Sequence, residues 1–160
     1  MSFLQDLGAA IAIGASDRAA GRATLAEMWR NLDSDDRAGR LILAHYLADL
    51  QEDVDDEVRW DQVALANAEN VSDAELQMLH PTLTVLGFIP SLQLNLADGY
   101  RRQGRMDAAA LALQASVAQN GALPVDRSEQ VAYRESLLRG QALVGDLLAA
   151  GDSTSPGLRI

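Results

Sequence analysis

Apolar residues recur every three or four positions along nearly the whole chain, and no stretch keeps up the two-residue alternation of a half-buried strand. That period predicts helices. Leu4, Leu7 and Ile11 form a first stripe, in an N-terminal arm or short helix over residues 1–16. "DRAAGRATLAEMWRNL" (17–32) places Leu25, Met28, Trp29 and Leu32 on one face. Asp33 or Ser34 then offers an N-cap for "RAGRLILAHYLADLQ" (37–51), and "EVRWDQVALANAEN" (57–70) follows. Ser72 and Glu75 match the S-x-x-E capping box, and Pro81 breaks or kinks the helix they open. Pro90 suits the first turn of "SLQLNLADGYRRQ", Gly104 turns the chain, and "MDAAALALQASVAQN" returns as far as Gly121. Asp126 and Glu129 form a second cap-like pair before the long last helix, "VAYRESLLRGQALVGDLLAA". The prediction is an all-α protein of about seven helices, with one domain over 17–150 and a flexible tail over 151–160.

Sliding the chain by 49 positions superposes "LADLQEDVDDEVRWDQVALANA" on "LADGYRRQGRMDAAALALQASV" without a gap. Leu47, Ala48, Asp49 and Ala66 meet Leu96, Ala97, Asp98 and Ala115, which is the mark of two similar helical hairpins. In the second copy Ala97 and Ala109 permit close helix approach, while Tyr100 and Leu113 fill the space between the helices. With Leu96 and Gly104, this hairpin resembles a tetratricopeptide-repeat (TPR) unit. More specifically, "LAHYLADLQEDVDDEVRWDQVAL" together with "FIPSLQLNLADGYRRQG" resembles a bacterial family of TPR-like helical proteins over about residues 24–150. Gln93 stands where that resemblance leads one to expect a histidine, so it supplies no partner for a paired-histidine site with His45. Trp60 stands where Ala109 does in the second copy, and a 49-residue offset is not the 34 of a regular array, so a compact bundle with a repeat-like half is expected.

Net charge changes the functional picture. The formal charge is −10, and residues 31–80 alone carry 13 acidic side chains against Arg37, Arg40 and Arg59. Such a field repels nucleic acid and favours a cationic partner. Cysteine is absent and every basic residue is an arginine, which excludes thiolate and Schiff-base chemistry. The apolar run Leu7–Ala15 is too short to span a bilayer and has no basic residue before it, so a cytoplasmic protein is expected.

The acidic stretch "HYLADLQEDVDDEVRWD" (45–61) invites a metal, but an EF-hand loop opening at Asp53 would need glycine at Val58 and glutamate at Ala64. His45 and Asp49 share a helical face and could pair. The fuller explanation is structural: Asp53 or Asp55 caps the next helix, and the acids that follow favour its exposed amides. No serine lies in a G-x-S-x-G elbow, and no catalytic residue, metal or cofactor is assigned.

What remains is binding. The TPR resemblance implies that the first helix of each hairpin lines a concave face that contacts extended peptides. Carried onto this chain, the outward positions are Asn95, Asp98 and Arg102 in the second hairpin and His45 (or Tyr46), Asp49 and Asp53 in the first. The expected function is a non-enzymatic helical adaptor that binds a peptide or protein with a cationic segment. Against it stands the reading in which Asn95 bonds a neighbouring helix and Asp98 with Arg102 is an ordinary i,i+4 pair. The alternative function is a homodimeric scaffold built on the apolar face of the last helix, Leu137, Leu138, Val144, Leu147 and Leu148.

Overall fold

The computed structural model describes residues 2–158. Among them are eight α-helices and no strand: α1 (Phe3–Ser16), α2 (Arg18–Asn31), α3 (Arg37–Asp49), α4 (Val54–Ala68), α5 (Asp73–Leu79), α6 (Ile89–Arg102), α7 (Met106–Val117) and α8 (Ser128–Ala149). The N-terminal arm is thus a helix. No helix among the described residues is long and apolar enough to cross a membrane. Contacts gather the chain into two compact units, Met1–Val85 and Leu86–Ile160, where one domain is predicted from sequence.

In the first unit, α1 with α2 and α3 with α4 form antiparallel hairpins, and α3 also packs on α1, α2 and α5. Its sequence explains that position. Ala38, Leu41, Ile42, Leu43, Ala44, Leu47 and Ala48 are all buried, so α3 is apolar over most of its circumference. Each fully covered leucine contributes about 1.5–3 kcal/mol. Trp29 of α2 meets Trp60 of α4 edge to face at 5.0 Å, and the Arg40 guanidinium lies 4.4 Å from the centre of the Trp29 ring.

In the second unit, α6 and α7 make a hairpin and α8 packs on both. Leu94, Ala97, Leu123, Leu137 and Val144 form its core. Ala97 and Ala109 are fully buried, as expected of small residues where two helices approach closely. Leu137 and Val144, two of the five residues of the α8 stripe, are covered within their own unit. A buried polar chain also runs through this unit: Ser116 donates to the Pro90 carbonyl at 2.7 Å and accepts from Gln141 at 2.9 Å. Gln141 in turn exchanges hydrogen bonds with Asn120.

The caps decide where the helices start. Ser72 and Glu75 form the expected capping box, and α5 stops at Leu79, so Pro81 follows a break and not a kink. Two expected caps move. Asp36, not Asp33 or Ser34, accepts from Gly39 N–H at 2.8 Å. Before α8, the Gln130 amide oxygen accepts from Asp126 and Arg127 N–H, in place of an Asp126–Glu129 pair. The helix begins at Ser128, which puts Gln130 at the third position, where a side chain reaches back.

The helix ends share one device. A helix leaves its last carbonyls without intrahelical donors, and α3 and α4 carry no basic residue in their last turns. Arginines from neighbouring helices supply the bonds. Arg18 donates to the Asp49 carbonyl at 2.8 Å and Arg22 to that of Leu50 at 3.1 Å. Arg37 donates to the Asn70 carbonyl, and Arg40 to those of Leu32 and Asp33.

Candidate functional site

The seven acids of the 45–61 stretch are not equivalent, and Glu52 pairs with Arg22 across the hairpins. Asp53 is the N-cap of α4, accepting from Asp55 and Asp56 N–H at 2.9 and 3.2 Å. Asp55, Asp56 and Glu57 occupy the first turn, and Arg59 pairs with Asp56. The stretch is therefore a helix start, as expected. It is not wholly solvated, however: Glu57 is nearly covered and Asp61 is fully buried, four residues apart on α4. Among the described residues no group of His, Asp or Glu side chains could hold a metal ion.

Asp49 has a different setting. It is the last residue of α3, and its carboxylate lies 4.0 Å from His45 Nε2, so the predicted i,i+4 pair forms. Both side chains are partly exposed, at 30% and 15%. Asp49 stands at the rim of a cleft of about 260 Å³ between α1, α2 and α3, whose walls are Ile11, Gly14, Ala15, Leu25 and Leu50. Tyr46 and Arg18 complete the lining. Burial, and secondarily the Asp49 carboxylate, push the Tyr46 phenol above its ordinary range, so it is a neutral donor at any physiological pH. The Arg18 guanidinium is turned onto the carbonyls of Asp49 and Gln51.

The three candidates on α6 are not outward positions. Asn95 and Asp98 are each only 1% exposed. Neither side-chain polar atom of Asn95 has a hydrogen-bonding partner, so it bonds no neighbouring helix. Asp98 accepts from Arg101 Nε and Nη2 at 2.9 and 2.7 Å and from Arg102 Nε at 3.1 Å. Its second oxygen also accepts from Leu158 N–H at 2.8 Å. Arg101 is fully buried; from sequence, it and Arg102 are candidates to cap the carbonyls at the end of their own helix. It donates to the carbonyls of Asp152, Ser155 and Pro156, and not to the end of its own helix. The expectation of a flexible tail therefore fails for residues 152–158, which these bonds fasten to α6; residues 159–160 lie outside the described chain. The signal for this was present but ambiguous. "DSTSPGL" has the composition of a frayed end and also that of a run of tight turns closed by an apolar anchor.

Compared with protein-family models, with curated proteins and with solved structures, the chain matches none.

Proposed function

We propose that this chain is a non-enzymatic, TPR-like helical adaptor that receives a peptide or protein partner in the cleft between α1, α2 and α3. The partner places an apolar side chain between Ile11, Leu25 and Leu50 and a cationic group against Asp49. One observation carries the reading: an apolar cleft of about 260 Å³ opens beside a partly exposed carboxylate. That volume suits one or two side chains, and apolar walls with few placed polar groups are the usual make-up of a recognition site. The surrounding charge agrees, since the excess of acid over base in the whole chain is concentrated in residues 31–80. The TPR-like part of the proposal is supported by the hairpins themselves. Each unit contains an antiparallel pair of successive helices, α3 with α4 and α6 with α7.

The test uses a capped hexapeptide with two leucines followed by two arginines, titrated into isotopically labelled protein. Amide shifts should cluster at Ile11, Arg18, Asp49 and Leu50. Asp49→Asn should weaken binding about three- to fivefold, the size of a partly exposed charge pair. A peptide with glutamates in place of the arginines should not bind. Shifts confined to other surfaces, or equal binding of both peptides, would refute the assignment.

A further inference from the structure

The segment after α8 is held as a ligand is held. Gly151, at φ +65°, closes α8 with the left-handed turn that glycine adopts without strain, and the chain then runs back over the end of α6. There the hydrogen bonds that Arg101 and Asp98 of α6 make with the segment all fall on its backbone atoms. Arg101 donates to three carbonyls, those of Asp152 at 2.9 Å, Ser155 at 3.0 Å and Pro156 at 3.3 Å. Asp98 accepts the Leu158 N–H at 2.8 Å. Both clasp residues are buried, at 0% and 1% exposure, so this is a built site and not a surface contact.

Three side-chain features of the segment complete the fit. The Asp152 carboxylate accepts from Thr154 and Ser155 N–H and from the Ser155 hydroxyl, which folds the segment into the turn that presents its carbonyls. Gly157 lies against the Arg102 guanidinium so closely that a β-carbon there would come within 2.8 Å of Cζ. Leu158 packs on the Leu94–Leu137–Val144 core.

We infer that the end of α6 is a peptide-binding clasp and that residues 152–158 are its resident ligand, so that a peptide of the same pattern supplied in trans takes their place. No bond in the clasp depends on the segment being joined to α8. Vacating it would strip a buried arginine of three acceptors, so the clasp exchanges one segment for another in preference to standing open. Covalent attachment gives the resident segment an effective concentration in the millimolar range, so the intact protein holds incoming peptide off until that segment is weakened.

The experiment uses the full chain and a fluorescein-labelled nonapeptide of residues 150–158. Wild type should bind it weakly. Full-length Leu158→Ala, which withdraws the segment's apolar anchor from the core, should bind it at least about tenfold more tightly. Asp152→Ala, which loosens the turn and leaves α6 intact, should do the same. A nonapeptide with alanine at the Leu158 place should lose at least about tenfold on either variant. Far-UV circular dichroism identifies which variants are folded, and one folded variant suffices. No gain in binding by a folded variant, or equal binding of the two peptides, would overturn the inference.

Discussion

A β-carbon on Gly21 would lie 2.3 Å from the Cα of Gly14 and 2.6 Å from its amide nitrogen. The first hairpin therefore closes backbone against backbone, and the cleft that Gly14 helps to line sits beside that crossing. Gly21→Ala must separate α1 from α2. It should cost about 1–3 kcal/mol in urea unfolding, the range for overpacking a tight contact. Gly8→Ala, also in α1 but with nothing within 4 Å, is the matched control and should be neutral or up to about 1 kcal/mol stabilising.

Asp49 and Asp98 meet in the 49-position sequence overlay, but Asp49 ends α3 whereas Asp98 lies four residues before the end of α6, and their surroundings differ. Asp98→Asn leaves the fully buried Arg101 without its counter-charge and should destabilise the second unit by about 3–5 kcal/mol. Asp49→Asn acts on a partly exposed pair and should stay within about 1 kcal/mol. Chemical denaturation of both variants checks the contrast, and equal losses would contradict it.

Removal of the α4 cap tests the meaning of the acidic stretch. Asp53→Ala deprives two backbone amides of their acceptor and should cost about 1 kcal/mol. Asp55→Asn removes a first-turn charge, which near the helix start should cost about 0.3–1 kcal/mol, less as salt rises. Thermal melts at two ionic strengths separate the two effects.

The fastening of the segment after α8 should depend on pH in one direction. Hydrogen bonds from Ser155, then from Thr154, hold the Asp152 carboxyl well below the ordinary aspartate range. A carboxyl with a lowered folded value stabilises the folded arrangement fully above its unfolded value, about 3.9, and loses that contribution as pH falls through the lowered one. Amide exchange at Ser155 and Leu158 should therefore stay protected from pH 7 to about pH 4 and lose protection only in stronger acid. Loss of protection between pH 7 and 5 would assign the fastening to another group.

The helices were legible because their apolar period is strong, and Ser72 and Gly104 were legible because each stands alone at its boundary, whereas Asp53 shared its boundary with Asp55. Asp33, Ser34, Asp35 and Asp36 are four successive capping residues, and local sequence does not choose among them. Arg40 does, because its bonds to the Leu32 and Asp33 carbonyls set where α3 can begin. The same limit applies to α6. Periodicity places Asp98 and Arg102 on one stripe, but whether that stripe faces solvent depends on a segment more than fifty residues further along the chain. The Gly14–Gly21 approach left no mark, since a lone glycine in a helical run reads the same whether it is crowded or open.

The arginines that close the ends of α2, α3 and α4 carry a consequence for alkaline solution. An ammonium group would discharge near pH 10.4 and let go of a carbonyl it was holding, whereas a guanidinium stays charged beyond pH 12. The chain has no lysine, so none of these fastenings rests on an ammonium group. Base should therefore loosen the packing around Tyr46, whose phenol must ionise where it lies, while the ends of the helices remain tied.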